Sequence, residues 1–474
     1  METESAATTC SRCKLLEAEV AALKKLVAEQ AKTIRDLSAK FDAAIRARKR
    51  QAAPFRKSKS QKKPEQEHKK SGRPAEHPVA NRPEPTPDQI NQTIDVRVDH
   101  CPDCCVALEN LHTEVQYQTD IPEIKPTIHK FVIQVGHCPC CGKRVQGAHP
   151  EQTSQAVGAA NQTIGPNALG VASELKYRLG MPFRKISAFF QSAFNLTISP
   201  GTIVRATQRV AQKSACLISI LKMQLPHQKV VYVDETGWWL GGDRRYLHVF
   251  CTEDMVLFKV ADRSKNTALE MLGSDFANTL SCDGYAGYDV FSTARCNAHP
   301  LRRVRDLMEA YPKKYADLQA IYNLLSAGMH LSKTRIEILP SDYARQVREH
   351  VMELEVWISE HRADPRTEVT RLAKHLDKYS LEFNKHLFDS QIPSTNNYAE
   401  RSLRGAVLLR KVGCCNRTDR GVQAFEILSS VLATFQKRAI DFTEWLKHRF
   451  TITGPQFIPP QLLPANFPRI ILRQ

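Results

Sequence analysis

Two groups of side chains have the type and spacing to do chemistry. The first is a pair of C-x-x-C knuckles, Cys101-Pro-Asp-Cys104 and Cys138-Pro-Cys-Cys141-Gly142, with 33 residues between them. Zinc takes four soft ligands in a tetrahedron, and two such knuckles supply them. Cys105 and Cys140 are spare thiols beside the candidate ligands Cys101, Cys104, Cys138 and Cys141. A set of buried thiols is the alternative. Cys10-Ser-Arg-Cys13 has no second pair near it in sequence. It is read as unliganded, or as pairing across a dimer.

The second group is a spread of carboxylates. Asp234 follows the apolar run Val230–Val233, which places it at the C-terminal end of a buried strand. Asp283 likewise follows Leu280-Ser-Cys282, and Glu400 lies in Asn396-Asn397-Tyr398-Ala399-Glu400-Arg401, which reads as the start of a helix. Two Asp at strand ends and a Glu on a helix can converge on a pair of hard divalent cations, which prefer oxygen ligands. Two such metals in line on a phosphate can activate a water or a 3′-hydroxyl and stabilise the leaving oxygen. Caps and salt bridges are the plainer use of acids, and Glu235, Asp243, Asp254, Asp262 and Asp289 compete for the role. Around Glu400, the amides of Asn396 and Asn397 and the cations of Arg401, Arg404, Arg410 and Lys411 suit phosphate oxygens. A merely solvated helix face is the other reading. Trp238-Trp239 can stack on an exposed base, although aromatic pairs this close to a strand are more often core.

These residues need elements to hold them. Residues 165–222 read as three helices: one around Ala168–Leu179, one opened by Pro182, and one started by Ser199-Pro200, a good cap and first turn. On the third, Thr202, Arg205 and Arg209 share a face with Gln208 beside them, while Ile203, Val204 and Val210 face inward. That is a plausible recognition helix for the major groove, though helical trios are common. Strands follow over 229–295: Val230–Val233, Tyr246–Cys251 and Met255–Val260 as a hairpin around Thr252-Glu253-Asp254, and Thr279–Cys282. Thr127–Val135 also reads as strand. Helices return from Leu301 to about Lys385.

The N-terminal region has a different character. Leu16, Val20, Leu23, Val27, Ile34, Leu37, Phe41 and Ala44 step by four and three, broken only by Gln30. Such a heptad favours a parallel coiled-coil dimer; an amphipathic helix packed on the body is the alternative. Residues 46–73 carry twelve Lys and Arg against two Glu. This surplus reads as a disordered basic arm adding salt-dependent DNA affinity. Seven prolines between Pro54 and Pro87 extend it as a linker.

The 474 residues suffice for about three domains. With 42% hydrophobic and 25% charged residues, the composition is ordinary for a soluble globular protein. Sixty-seven Lys and Arg against 50 Asp and Glu give a net charge of +17, for which nucleic acid is the natural partner. No run of 18 apolar residues exists, so no spanning helix and no membrane are expected. The first 30 residues lack the apolar stretch of a secretory signal, so a cytoplasmic, nucleoid-associated protein is expected. In such a reducing compartment the 14 Cys suggest metal rather than disulfides.

Several motifs in order carry a family resemblance. They are Val231-Tyr-Val-Asp234-Glu-Thr236, Cys282-Asp283-Gly-Tyr285, Cys296-Asn-Ala-His299 with Arg302-Arg303, Asn396-Asn397-x-x-Glu400-Arg401-x-x-Arg404, and Arg410-Lys411. Together they resemble the IS66 family of bacterial insertion-sequence transposases over roughly residues 14–450, and Cys101 to Lys143 resembles that family's zinc-binding domain. The family commonly has an aromatic after the motif Cys and an Arg soon after the His; here stand Asn297 and Pro300-Leu301.

The resemblance implies an α/β fold with an RNase H-like, retroviral integrase-like core. It maps a DDE triad onto Asp234, Asp283 and Glu400, with a helical insertion in the 117-residue separation of the last two. The expected organisation is a coiled-coil helix over 14–46 and a basic, Pro-rich linker over 47–94. A zinc-binding domain spans 95–150, and a helix-turn-helix-like DNA-binding segment 160–225. The catalytic core covers 228–450, with its insertion at about 301–385, and a Pro-rich tail covers 451–474. The expected activity is Mg²⁺- or Mn²⁺-dependent DNA cleavage and 3′-hydroxyl strand transfer, with structural Zn²⁺, a homodimer or higher assembly, and small accessory proteins from the same element. The competing readings are an inactive or domesticated transposase acting as a DNA-binding regulator, and a nuclease that cuts without joining.

Overall fold

The computed structural model describes residues 18–31, 33–34, 36–37, 83–311, 314–363, 367–451 and 458–462. Cys10, Cys13, both ends of the expected coiled coil, the basic arm and the last twelve residues lie outside them. The chain divides into two units, Met1–Asp120 and Ile121–Gln474. The division falls inside the 95–150 segment. In the first unit, residues 18–31 are helical, and Val20, Leu23, Val27, Ile34 and Leu37 are all exposed.

The second unit opens with a two-stranded antiparallel ribbon, β1 (Val135–His137) and β2 (Arg144–Gln146). The strand expected over Thr127–Val135 is therefore confined to its last residue. The knuckle at Cys138 fixes the turn, and only the residues flanking it find a partner strand. Three helices follow as the spacing predicts: α1 (Pro166–Tyr177), α2 (Phe183–Phe194) and α3 (Pro200–Lys213). Asn195 ends α2 in the left-handed conformation that asparagine tolerates. Ser199 caps α3 by accepting the Thr202 N–H at 3.1 Å. Helix α4 (Ala215–Gln224) leads into the sheet.

The sheet has five strands: β3 (Val230–Leu240), β4 (Asp243–Cys251), β5 (Val256–Ala261), β6 (Thr279–Cys282) and β7 (Thr293–Arg295). Their order is β5-β4-β3-β6-β7. The pairs β3–β4 and β4–β5 are antiparallel, whereas β3–β6 and β6–β7 are parallel. Strand β3 runs well beyond the apolar run seen in sequence. Gly241 and Gly242, both at positive φ, turn it straight back into β4. Asp234 thus lies mid-strand rather than at a strand end. The continuation through Trp238 carries few aliphatic residues, so hydrophobicity alone did not reveal it.

Alternating side chains of β3 build two cores. Val231 and Val233 face one side, with Leu257, Leu280 and the aromatics Phe435, Phe442 and Trp445. Tyr232 and Trp238 face the other, with Leu247, Val249, Leu403 and Phe425. Trp238 is buried, stacks on Phe425 at 4.9 Å between ring centres and donates to Asn416 Oδ1 at 3.0 Å. Its neighbour Trp239 is exposed. The core reading holds for one member of the pair only.

Helix α5 (Lys265–Leu272) precedes β6. After β7 come α6 (Ala298–Ala310), α7 (Tyr315–Thr334), α8 (Pro340–His361), α9 (Glu368–Lys378) and α10 (Ser380–Phe388). Leu301, Val304, Ile321, Leu325, Leu354, Trp357, Leu372 and Phe383 give these helices a core of their own. The chain returns through α11 (Asn397–Gly413), α12 (Asp419–Lys437) and α13 (Phe442–Phe450).

Helix α12 covers the β5 edge. The N–H groups of Val256, Phe258 and Val260 donate to Thr434 Oγ1 (3.0 Å), Ser430 Oγ (2.8 Å) and Glu426 Oε1 (2.6 Å). Four helix residues rise about 6 Å, and two strand residues about 6.6 Å, so the two repeats match. An edge satisfied in this way offers no open row of donors to another strand.

Candidate active site

The acids meet where β3, β6 and α11 meet. The parallel register pairs Tyr232 with Ser281, so Asp234 and Asp283, each two residues further on, lie side by side. Asp283 Oδ1 accepts the Tyr285 N–H at 2.8 Å, and Asp234 Oδ1 accepts the Glu235 N–H at 2.8 Å. Glu400 stands in the first turn of α11. Asn396, at the cap of that helix, donates through Nδ2 to Val233 O at 2.7 Å and so ties α11 to β3 beside Asp234.

The electrostatics bind the three acids into one site. Burial, then Asp283, Glu235 and Glu400, push Asp234 up to about 8. Desolvation of Asp234 among neighbouring carboxylates keeps it protonated, and a cation can displace that proton. The oxygens are hard donors, suited to a divalent ion of the magnesium class. They are spread more widely than a single-ion cage: among the described residues, the group of three whose ligand atoms lie within 4.8 Å of one another is Cys296, His299 and Glu400.

The competing acids have other work. Glu235 points to the opposite face of the sheet, its side chain 3% exposed, held by Arg263 at 2.7 Å and the Tyr288 hydroxyl at 2.7 Å. Asp262 accepts from Ser264 and Thr267 ahead of α5. Asp254 pairs with Arg438 at 2.9 Å. Asp289 pairs with Arg295 and accepts from Tyr379 at 2.9 Å. Asp243 is exposed at the start of β4.

Sequence reasoning missed Arg295. It is 2% exposed, lies over the Tyr379 ring at 3.6 Å and donates to the Asp283 carbonyl at 3.0 Å. A lone Arg in a short strand carries no motif that would reveal it. Arg302, one turn into α6, reaches Glu400 at 3.2 Å. Cys296 Sγ accepts the Asn396 N–H at 3.2 Å, and Asn297 is buried, with Nδ2 donating to Phe383 O at 2.9 Å. A pocket of about 100 Å³ opens beside them, lined by Gly284, Cys296, His299, Arg303 and His375 among others.

The cations near Glu400 divide in two. Asn397, Arg401, Arg404 and Lys411 are exposed at steps of four, three and seven, along one face of α11. Asn396 is 1% exposed, and Arg410 donates to Thr236 and to the Gly237 carbonyl. These two side chains therefore secure α11 to β3 rather than facing solvent. On α3, Arg205 and Arg209 are exposed, while Ile203 and Val210 are buried and Val204 is half-buried.

Each Cys knuckle, by itself, has a tight turn. Cys105 N–H donates to Cys101 O, and Gly142 N–H donates to Cys138 O, both at 2.9 Å. The first thiol of each knuckle receives backbone N–H groups from two and three residues on, which lower its pKa. Donors so arranged favour thiolate, the form that ligates metal.

No helix among the described residues is long and apolar enough to cross a membrane. No curated protein matches the chain. The family model described as "Transposase IS66 family" matches residues 162–424, which include the helical trio, the whole sheet, the helical insertion and all three acids. That is more than half of the sequence, and the chain therefore belongs to the IS66 family of transposases.

Proposed function

We propose that this protein is a DDE enzyme that cleaves DNA at the ends of its element and joins the freed 3′-hydroxyl to target DNA. The observation that carries the reading is the convergence of Asp234, Asp283 and Glu400 from β3, β6 and α11, with Asp234 pushed up to about 8 by burial and the other acids. The strand order, with β3 central, antiparallel to one side and parallel to the other, supports an RNase H-like core.

Asp234, Asp283 and Glu400 would hold Mg²⁺ or Mn²⁺. Bound there, two such cations polarise the scissile phosphate and stabilise both the entering and the leaving oxygen. The residues themselves position and desolvate. The β3–β6 pairing fixes the two Asp, Asn396 and Arg410 fix the helix bearing Glu400, and Arg295 fixes the Asp283 backbone. In cleavage, a water oxygen bonds to phosphorus and the 3′-oxygen leaves with a proton. In joining, that 3′-hydroxyl attacks a target phosphate, one phosphodiester replaces another, and no covalent enzyme intermediate or energy donor is required.

Exposed Arg205 and Arg209 on α3, and Asn397, Arg401, Arg404 and Lys411 on α11, would contact DNA phosphates or bases. Replacing Arg205 and Arg209 together with Ala should leave the fold intact, weaken DNA binding and flatten the dependence of log K on log salt by about two. An unchanged slope would remove α3 from the interface. Cys101, Cys104, Cys138 and Cys141 would hold structural zinc. The N-terminal heptad would dimerise the chain so that both element ends are brought together. The basic arm would add unspecific DNA affinity, and accessory proteins of the element would complete the assembly.

The test is cleavage of labelled DNA carrying candidate element ends, with Mg²⁺ or Mn²⁺, for the wild type and Glu400→Gln. Metal-dependent nicking lost in the variant supports the triad. Equal nicking by both removes Glu400 from it. Tight binding without cleavage by either points to a DNA-binding regulator, and cleavage without joining points to a nuclease.

A further inference from the structure

We propose that Cys296, His299 and Glu400 form a second cation site, for a soft ion of the zinc class, and that its occupation withdraws Glu400 from the triad. The site shares Glu400 with the proposed DDE centre, but its existence is tested without DNA cleavage.

Four observations converge. The ligand atoms of the three residues lie within 4.8 Å of one another. Zinc bonds of about 2.0–2.3 Å set tetrahedral ligands roughly 3.3–3.7 Å apart, so small side-chain rotations close the gap. Cys296 Sγ accepts N–H groups from Asn396 at 3.2 Å and from Ala298 two residues on, as a metal-bound sulfur does, although burial raises the pKa of the free thiol. The first cysteine of the Cys138 knuckle is likewise bonded by the N–H two residues on. Third, His299 Nδ1 is buried with no hydrogen-bond partner among the described residues. A buried nitrogen without a partner is costly unless a ligand satisfies it.

Charge is the fourth. A thiolate and a carboxylate balance a divalent ion, the thiol proton passing to solvent as the cation binds. The adjoining pocket has room for water as a fourth ligand. Arg302, which now holds Glu400, has a half-exposed side chain that can swing into solvent. Magnesium, a hard ion, has little use for the thiolate. The two sites therefore select different metals while competing for one carboxylate.

Full-length protein titrated with Co²⁺ reads the site directly, because cobalt–thiolate bonds absorb by charge transfer. Subtracting the Cys296→Ser spectrum cancels the knuckle cysteines. The expected difference is one further Co²⁺ per chain with a thiolate band, displaced by Zn²⁺ and weakened in His299→Ala. If Cys296→Ser fails to fold by circular dichroism, His299→Ala and Glu400→Gln serve for the same subtraction. Identical spectra and stoichiometry across the folded variants would overturn the site. In a second arm, Zn²⁺ should inhibit Mg²⁺-supported cleavage by the wild type. Inhibition of Cys296→Ser, scaled to its own rate, should need about tenfold more Zn²⁺ or beyond, since even an outer-shell partner is worth that much. Equal sensitivity would overturn the competition for Glu400. A cobalt site that forms while Glu400→Gln still cleaves DNA would refute the triad and leave this site standing.

Discussion

Asp234→Asn is expected to abolish metal-dependent strand cleavage and, in the same protein, to raise the melting temperature without metal. The first effect follows from the proposed role. A lost metal ligand removes several kcal/mol of transition-state stabilisation, or at least about 10³-fold in rate. The second follows from burial. Asp234 is pushed from 3.8 to about 8, first by desolvation and then by Asp283 and Glu235. Folding is therefore opposed by its ionisation. Below about pH 4 the acid is protonated folded or unfolded, and its contribution to stability is intact. Between about 4 and 8 the unfolded chain releases the proton and the folded chain keeps it, so stability falls as pH rises. At about 1.4 kcal/mol per pH unit the penalty reaches a few kcal/mol, and the amide escapes it. Thermal unfolding of both proteins in chelator across that window is the measurement. Wild type should lose stability with rising pH relative to the variant, and Mg²⁺ should restore wild type alone. Parallel curves would contradict the buried, repelled carboxylate.

Arg295→Ala is expected to destabilise the fold by about 3 kcal/mol, the low end of the cost of breaking a buried ion pair, because Asp289 keeps some contact with water. The loss has three parts: the pairing with Asp289, the stacking on Tyr379 and the hydrogen bond to the Asp283 carbonyl. Arg295→Lys keeps the charge but not the planar fork, and should recover only part of the loss. Denaturant midpoints measure the stability. Cleavage should fall further than stability accounts for, because Asp283 loses the donor that fixes its backbone. A variant as stable as wild type would show that this pair is not needed to close β7 onto the site.

The sequence made some parts of this molecule readable and hid others, for physical reasons. Ser199-Pro200 and Pro182 announce helix starts because caps and fixed φ angles act locally. Leu280-Ser-Cys282 announces β6 because a buried strand needs consecutive apolar residues. The far half of β3 was not legible, since Trp238 is paid for by contacts with Phe425 and Asn416, nearly two hundred residues away. The candidate acids could be named because Asp283 and Glu400 stand at element boundaries and Asp234 directly follows the apolar run Val230–Val233. The inward roles of Asn396 and Arg410 could not, because a cation or amide near an acid has the same letter whether it faces phosphate or the Val233 carbonyl.

The neck of the helical insertion has a consequence for how the chain can diverge. Cys296 and Asn297 on one side are joined to Asn396 and Ser394 on the other by hydrogen bonds of 3.2 and 3.0 Å that span about a hundred residues of chain. Closing a loop grows dearer only with the logarithm of its length, and the helices above the neck pack on their own core. Length and sequence above that clasp are therefore free to drift, or to be exchanged for another module, while the third acid is delivered to the same place. The same separation makes Glu400 a late arrival in folding, so a nascent chain carries no complete set of acids until that clasp has closed.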